Sequence, residues 1–483
     1  MIDSPVCVLH YYPREKWMND PNGLVYFQGE YHLFYQYNPE AMVWGPMHWG
    51  HAVSNDMVRW EHLSIALYPD ELGTIFSGSI VVDWKNTSGF FKDAPGLVAV
   101  FTHHGADGQR QSIAWSKDRG RTWVKYEGNP VLERPGYKDF RDPKVFWFEP
   151  QCKWIMILAC GDRAGIYASL DLKAWEHLCD FGPITGLGDG VWECPDLFQL
   201  PVSDNTGNMK WVLKVDISDG AVAGGSGGVY FIGKFDGGSF TLEEGQSFHW
   251  IDYGKDFYAA QSFSDIPEAD GRRIWIAWMN NWKYANLIPA ENHRGTMSIP
   301  RKLALRNSAI DGIKLVQTPV EELASYRTSI YQESGFVLMP GECRILENVC
   351  SDTTEIIVEF GSGTDSRLVM EVRRGEEEKI IIGYSALNSE LSVDRTLSGR
   401  TEFSPDYAEV HKAMLESVDN KVKLHIVLGR CSVEVFGNDG EVVITDLIFP
   451  CEESRGFMIY SIEELVTIDY LSVYKLSEKA GSL

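Results

Sequence analysis

Short apolar segments separated by polar turns recur along the first 300 residues at a nearly constant interval. The clearest segments occupy residues 31–37, 97–102, 154–159, 211–215 and 274–278. Their starts lie roughly 60 residues apart, the length of a repeat unit that contains several strands. Aromatic and β-branched residues dominate each segment, and no long stretch carries the i, i+3, i+4, i+7 spacing of a helix. The pattern therefore predicts strands.

A second feature recurs beside three of these strands. Each is a polar turn with serine and aspartate two residues apart, followed by tryptophan: Ser54, Asp56 and Trp60; Ser116, Asp118 and Trp123; Ser169, Asp171 and Trp175. A unit of about 60 residues that is repeated five times predicts a five-bladed β-propeller with about four strands in each blade.

The pattern changes after the fifth repeat. Pro319 and the acidic residues behind it indicate a short helix, and the strands beyond it alternate apolar and polar positions. We predict an all-β protein with a propeller at 1–318, a short helical linker at 319–331 and a β-sandwich at 332–483. The sandwich is expected to cover the flank of the propeller. A homodimer through it and a carbohydrate-binding role are two open alternatives.

Charge and composition exclude some classes of partner. The net charge is −24, whereas nucleic-acid binding requires a basic face and anionic membrane surfaces repel an acidic protein. No run of about 18 apolar residues indicates a membrane span. We therefore expect neither a nucleic acid nor a membrane as partner.

The cysteines bear on the compartment. The nine cysteines are an odd number and include no Cys-x-x-Cys pair. Free thiols are typical of a reducing compartment, and residues 1–5 do not begin a signal-peptide pattern. The first expectation is a cytoplasmic protein, and a secreted protein in its mature form is the alternative.

Three carboxylates mark the starts of innermost strands. Asp20 lies in Trp-Met-Asn-Asp-Pro-Asn-Gly (17–23), a predicted tight turn before an apolar strand at 24–27. Asp142 and Glu193 open two further blades, while Ser77 and Gln261 open the remaining two. Because innermost strands start at one end of the central funnel, equivalent positions in three blades place three acids in one cavity. Like charges repel, so such a cluster indicates function.

The chemistry of the cluster follows from the residue types. A pair of carboxyl groups splits a glycosidic bond, because one protonates the leaving oxygen and the other meets the anomeric carbon. A third negative charge stabilises the oxocarbenium-like transition state. Arg141 is expected to keep its neighbour Asp142 ionised, and Trp192 and Cys194 are expected to surround Glu193 with apolar groups.

Several motifs together resemble glycoside hydrolase family 32, the β-fructofuranosidases, which include invertases, exo-inulinases and exo-levanases. They lie at 17–23, 34–39, 44–51, 76–79, 140–143, 192–196 and 432–440. The resemblance implies that Asp20 is the nucleophile, Glu193 is the general acid and then base, and Asp142 stabilises the transition state. It also implies a retaining reaction through a covalent fructosyl-enzyme, without cofactor or metal.

The resemblance further implies residues that bind the sugar. Asn19, Gln36 and Arg141 are expected to bind hydroxyl groups. Trp44 and Phe76 are expected to form an apolar wall beside Ser77, and Tyr258 and Trp278 to lie near Glu193 in the funnel. The alternative for the aromatic residues is core packing. We interpret four other residues, His48, His51, His103 and His104, as structural histidines, because their spacing fits no metal site.

The predicted function is an exo-acting hydrolase that releases terminal fructose from sucrose or from fructans such as levan and inulin. Residues 73–79 resemble exo-levanases and exo-inulinases more than plant invertases. Two alternatives stay open: a fructosyltransferase of the same fold, and a binding protein without activity. Loss of one of the acids would indicate the latter, and all three are present.

Overall fold

The computed structural model of this protein describes residues 6–477 except 93, 135, 189, 204–206, 309–311, 348 and 351–352, with backbone alone at 6–8 and 362. These residues form 36 strands and two 3-10 helices, Glu149–Gln151 and Glu321–Tyr326. Residues 1–5, on which the signal-peptide expectation depends, lie outside the described part. The all-β prediction is confirmed.

Five antiparallel sheets follow one another along the first two thirds of the chain. The first contains β1 (Val6–Val8), β2 (Lys16–Phe27), β3 (Glu30–Asn38), β4 (His48–Ser54) and β5 (Arg59–His62). The second contains β6 (Thr74–Val82), β7 (Leu97–Gly105), β8 (Gly108–Ser116), β9 (Val124–Lys125) and β10 (Leu132–Glu133). The third contains β11 (Arg141–Phe148), β12 (Lys153–Ala159), β13 (Ala164–Ser169) and β14 (Glu176–Phe181).

Two more sheets complete the set. The fourth contains β15 (Trp192–Pro201), β16 (Met209–Ile217), β17 (Gly227–Phe235), β18 (Phe240–Leu242) and β19 (His249–Trp250). The fifth contains β20 (Tyr258–Ser262), β21 (Arg273–Trp278), β23 (Arg301–Ser308) and β24 (Gly312–Pro319). A short strand from the end of this region, β22 (His293–Arg294), pairs in parallel with β2 and so joins the last blade to the first.

The innermost strands of the five sheets form a closed ring. Contacts run from β2 to β6, on to β11, β15 and β20, and back to β2. Apolar clusters fill the spaces between adjacent sheets, so strands such as β7 are buried on both faces and read as continuous apolar runs. The predicted five-bladed propeller is confirmed.

The polar turns found in the sequence have one structure in all three blades. In each, the serine hydroxyl bonds the aspartate carboxylate and the tryptophan indole N–H donates to a backbone carbonyl of the turn. The carbonyls belong to Met57, Gly120 and Leu172. The repeat in the sequence therefore corresponds to a repeated local structure.

Each innermost strand carries a β-bulge near its start. Four of them place two residues opposite one residue of the neighbouring strand: Asn19 and Asp20, Asp142 and Pro143, Cys194 and Pro195, Ala259 and Ala260. In β6 the pairing shifts between Phe76 and Gly78. A bulge changes the direction of the strand and of the side chains it carries.

The predicted tight turn at 17–23 is wrong. β2 runs unbroken from Lys16 to Phe27, and two bulges absorb the residues that suggested a turn. Gly23 takes a positive φ of 52° inside the strand, a conformation that glycine adopts without a steric penalty. Bulges accept proline and glycine as turns do, which is why the local sequence misleads.

The C-terminal region consists of two six-stranded sheets packed face to face, and the β-sandwich prediction is confirmed. One sheet contains β25 (Arg327–Leu338), β27 (Thr354–Ser362), β32 (Lys421–Leu428), β33 (Ser432–Gly437), β34 (Val442–Leu447) and β36 (Val466–Leu476). The other contains β26 (Cys343–Leu346), β28 (Arg367–Arg374), β29 (Lys379–Ser385), β30 (Glu390–Leu397), β31 (Val410–Met414) and β35 (Gly456–Ile462). Both inner faces supply one apolar core.

The segment between the two regions contains the 3-10 helix Glu321–Tyr326, and β25 starts directly after it. Strand β25 thus begins within the range that the sequence suggested for the linker. The propeller and the sandwich share buried polar contacts. Arg301 of β23 donates to the Glu434 carboxylate of β33 at 2.6 Å, and Arg395 of β30 donates to the Asp256 carboxylate at 2.5 Å.

Candidate active site in the propeller funnel

Asp20, Asp142 and Glu193 lie together at the bulges of β2, β11 and β15. The repeat suggested that the three acids occupy equivalent positions in their blades, but their positions relative to the bulges differ. Glu193 precedes its bulge, Asp142 is the first bulged residue of its strand, and Asp20 is the second. The positions that match Glu193 in other blades hold Arg141 and Tyr258. The bulges therefore bring different repeat positions to one place.

Asp20 is held in a fixed orientation by three neighbours. Its Oδ2 accepts hydrogen bonds from Ser77 Oγ at 2.7 Å and from Cys194 Sγ at 3.6 Å, and its Oδ1 accepts one from Asn19 Nδ2 at 3.0 Å. Burial and the nearby charge of Glu193 raise the pKa of the Asp20 carboxyl, and these three hydrogen bonds oppose the rise.

Asp142 is the most enclosed of the three acids, with only 5% of its surface exposed. Its Oδ2 accepts the backbone N–H of Cys194 at 2.9 Å. Arg141 favours the ionised form of Asp142 as expected, but burial opposes it more strongly. Burial raises the pKa of Asp142 to about 7, Glu193 and Asp20 add to the rise, and Arg141 offsets it only in part, since its Nε lies 3.9 Å from Oδ2.

The carboxyl end of Glu193 has polar neighbours. Arg141 Nη2 donates to Glu193 Oε1 at 2.8 Å, and the Tyr258 hydroxyl donates to Oε2. The apolar surroundings expected from Trp192 and Cys194 are thus wrong for the carboxyl group, because its contacts come from polar groups of the two neighbouring blades. About a fifth of the side chain is exposed, so Glu193 is open to a ligand in the funnel.

Cys194 connects two of the acids. Its thiol lies 3.6 Å from both Asp20 Oδ2 and Asp142 Oδ2, and Cys194 is buried. Burial, then the charges of Asp142 and Asp20, raise the pKa of this thiol well above its ordinary value. Cys194 is therefore a neutral donor here, and a weak one.

Asn19 and Gln36 lie beside Asp20. Trp17 Nε1 donates to Asn19 Oδ1 at 2.7 Å, which orients the amide toward Asp20. Gln36 sits opposite the bulge of β2 and donates to the Ile75 carbonyl at 3.0 Å. The structure also brings in Asn22, which the sequence pattern did not single out. Asn22 bonds the Asp20 carbonyl and the Gly78 N–H, joining the bulges of β2 and β6.

An aromatic wall borders the funnel next to Ser77. The rings of Trp44 and Phe76 meet edge to face with centroids 6.0 Å apart, and 44% of Trp44 is exposed. The His104 ring stacks on Phe76 with ring centroids 4.5 Å apart. Burial and the charge of Arg141 lower the pKa of His104, so the ring is a neutral surface near the acids. His48 bonds the Pro46 carbonyl, and His51 and His103 are buried.

Tyr258 and Trp278 are buried completely, although Tyr258 reaches Glu193 through its hydroxyl. Trp278 packs against Trp17, Tyr258 and Trp282. Trp282, which the sequence pattern did not single out, also stacks on Trp17 and is only partly buried. Within the described part of the chain, no cluster of three or more His, Cys, Asp or Glu is arranged to hold a metal ion, and none of its helices is long and apolar enough to cross a membrane.

A propeller funnel that brings three carboxylates together beside a partly open aromatic wall fits a glycoside hydrolase. Comparisons with known proteins agree. Residues 10–319 match the family model described as glycosyl hydrolases family 32 N-terminal domain, and residues 322–475 match glycosyl hydrolases family 32 C terminal. The chain therefore belongs to glycosyl hydrolases family 32.

Individual relatives match nearly the whole chain. The chain is 50% identical to a levanase of Bacillus subtilis (strain 168), over 98% of this chain and 70% of that protein. It is 37% identical to an extracellular exo-inulinase of Aspergillus awamori, over 92% of this chain and 89% of the relative. The crystal structure of exo-inulinase from Aspergillus awamori superimposes with a TM-score of 0.91 at 35% identity, covering 97% of this chain and 98% of the other.

Proposed function

We propose that this protein is an exo-acting β-fructofuranosidase that releases terminal fructose from levan, inulin and sucrose with retention of configuration. The single observation that carries the proposal is the orientation of Asp20, fixed by Ser77, Asn19 and Cys194, in a funnel shared with Glu193. Membership of family 32 and the names of the relatives, a levanase and an exo-inulinase, support the substrate class.

The roles follow from the surroundings of each acid. Asp20 attacks the anomeric carbon, and a bond from its oxygen to that carbon forms while the bond to the leaving sugar breaks. Glu193 gives its proton to the departing oxygen, then takes a proton from the water that releases fructose. Asp142 places negative charge beside the oxocarbenium-like transition state. Arg141 contacts Glu193 and fixes its orientation.

The sugar contacts are part of the same proposal. Asn19, Gln36, Ser77 and Arg141 supply polar groups around Asp20, which suits the hydroxyls of a fructosyl unit. Trp44 and Phe76 supply an apolar face on which a furanose ring can pack. Tyr258 acts on the sugar only through Glu193, and Trp278 packs against Trp17 and Tyr258.

A product time course with levan, inulin and sucrose, resolved by chromatography, tests the activity. We expect free fructose as the first product from all three. Fructose from sucrose alone would limit the enzyme to an invertase. Glucose in excess of fructose at high sucrose, with new oligosaccharides, would mean a fructosyltransferase. Added methanol tests the stereochemistry: a retaining enzyme forms the methyl β-fructoside, and the α-anomer would contradict the covalent intermediate.

Location and assembly stay predictions. Free thiols favour the cytoplasm, while the name of the Aspergillus awamori relative, an extracellular enzyme, supports the secreted alternative. Assay of culture medium against cell lysate separates the two. A homodimer through the sandwich predicts twice the monomer mass in light scattering.

A further inference from the structure

A lysine and an aspartate lie inside the second strand of the fourth blade, where apolar residues are the rule. Lys214 and Asp216 are two residues apart in β16, so they share one face of the strand. Their side chains are 0% and 1% exposed, and they form an ion pair. Because removing charges from water is costly even when they are paired, the pair calls for a role beyond filling space.

The Lys214 ammonium joins the bulges of two neighbouring blades. Besides Asp216, it donates to the Cys194 carbonyl at 3.0 Å and to the Ala260 carbonyl at 2.7 Å. Cys194 and Ala260 belong to the bulges of β15 and β20. The residues that directly precede those bulges are Glu193 and Tyr258, and their side chains bond each other. Lys214 thus binds the backbone that carries both groups.

Asp216 lies beside Glu193 across the sheet. The two residues are direct partners in the pairing of β15 with β16. Asp216 Oδ1 is buried and has no hydrogen-bond partner among the described residues. A side chain at Gly228 would approach Oδ1 to 2.6 Å, so this glycine leaves the space for the carboxylate.

Several charged or titratable groups face Asp216 from the surrounding strands. Lys214 lies on its own strand, Glu193 and Cys194 on β15, Asp20 on β2 and Tyr258 on β20. Burial raises the pKa of Asp216 to about 7, Lys214 opposes the rise, and Asp20 and Glu193 add to it. The charge on Asp216 is therefore coupled to the charges on Asp20 and Glu193.

We propose that Lys214 and Asp216 are positioning residues for Glu193: Lys214 holds the two bulges so that Glu193 and Tyr258 meet, and Asp216 places a negative charge beside Glu193. The inference rests on the proposed function of Glu193 as acid and base. Neither residue touches the sugar, so the effect is on the proton-transfer steps and not on sugar binding.

The first test is Lys214→Met, assayed with sucrose. We expect kcat to fall by about 10²-fold, the cost of a displacement near 1 Å of a reacting group, with KM nearly unchanged. Lys255→Met is the matched control. Lys255 is also a buried lysine that binds a carbonyl, of Asp406, and a carboxylate, of Glu409, but it lies at the sandwich. Equal kcat values in the two variants would overturn the proposal.

Fructosyl fluoride separates positioning of the acid from general loosening of the fold. Fluoride leaves without a proton, so Lys214→Met should release fluoride in the first turnover at nearly the wild-type rate. An equal loss with fluoride and with sucrose would contradict the proposal. The double variant Lys214→Met with Asp216→Asn restores the charge balance but not the contacts. We expect its thermal stability to recover and its kcat to stay low, and recovery of kcat would contradict positioning.

Asp216→Asn keeps the shape of the side chain, so it tests the proposal even if Lys214→Met does not fold. A neutral amide at position 216 no longer opposes negative charge at this end of the funnel. The basic limb of the kcat/KM profile should therefore move to lower pH by about one unit, and an unmoved limb would overturn the role of Asp216. A wild-type enzyme that releases no fructose from any substrate would instead reject the proposed function.

Discussion

Buried charges occur in two regions of this protein, the funnel and the boundary between propeller and sandwich. The two regions differ in how far cationic partners neutralise the buried carboxylates. In the funnel Arg141 pairs with Glu193 and lies near Asp142, and burial raises the pKa of Asp20 and Asp142. At the boundary of propeller and sandwich, Glu434 accepts from both Arg301 and His10. Burial would raise the pKa of Glu434, but these two partners outweigh it and hold that pKa below its usual range.

A second pair at the boundary behaves in the same way. Burial would raise the pKa of Asp446, yet His411 and Arg395 lower it. Asp252, which shares Arg301 with Glu434, is an exception, because burial outweighs its partners and raises the pKa to about 6. The comparison teaches that the boundary is mostly neutralised and holds the two regions together, while the funnel keeps unbalanced negative charge for chemistry.

The largest expected effect is loss of the nucleophile. Asp20→Ala should lower fructose release by at least about 10⁴-fold, because no other group can form the covalent bond. The fold should survive, as circular dichroism would show, since removing one of several crowded negative charges relieves repulsion. Asp162→Ala, at an exposed pair with Arg163, is the control and should retain full activity. Normal turnover by Asp20→Ala would reject the assignment.

At the boundary between propeller and sandwich, a substitution should lower stability and leave activity unchanged. Arg301→Met leaves the carboxylates of Glu434 and Asp252 buried without their guanidinium, so the free energy of unfolding should fall by about 3–5 kcal/mol. Fructose release per folded molecule should be unchanged. Urea denaturation measures the first quantity and a sucrose assay the second. Arg430→Met, at an exposed pair with Glu452, should change stability little. If both variants were equally stable, the boundary pairs would not hold the regions together.

Asp142→Asn tests how much the buried, ionised Asp142 carboxylate destabilises the folded protein. The folded protein holds the Asp142 proton more tightly than the unfolded chain, since burial raises the pKa from 3.8 to about 7. Raising the pH across this window therefore removes stability from the wild type. The amide cannot ionise, so the variant should gain about 2–4 kcal/mol relative to wild type at pH 8 and nothing below pH 4, while turnover falls by about 10²-fold.

Unfolding curves at several pH values, from pH 4 upward, measure this difference. A variant that is less stable than the wild type at every pH would mean that the Asp142 carboxylate is a net structural contact. It would then resemble Glu434, and the contrast between funnel and boundary would fail at this residue.

Short-range sequence patterns predict much of the architecture. The repeated turns around Trp60, Trp123 and Trp175 and the spacing of the apolar strands predict a propeller because each blade forms from neighbouring residues. The alternation in strands such as β31 likewise predicts a sandwich with one buried face. The three acids were found because each stands in a recognisable motif.

Other features were outside the reach of local patterns. The turn expected at 17–23 became a bulged strand, because bulges and turns use the same residues and only pairing with β3 distinguishes them. The local pattern around Lys214 is that of an ordinary apolar strand, because its partners Cys194 and Ala260 are distant in sequence. Domain boundaries and sugar contacts stay predictions.

The sequence by itself determined the five repeats, the sandwich and the identity of the acids, because these depend on residue type and short-range spacing. The tertiary structure alone decided which repeat positions meet in the funnel and which charges are neutralised. Asp142 follows Arg141 in the chain yet has a pKa raised to about 7, while Glu434 and Arg301, 133 residues apart, form a buried pair. Burial and charge pairing depend on distances in space, and adjacency along a chain does not set them.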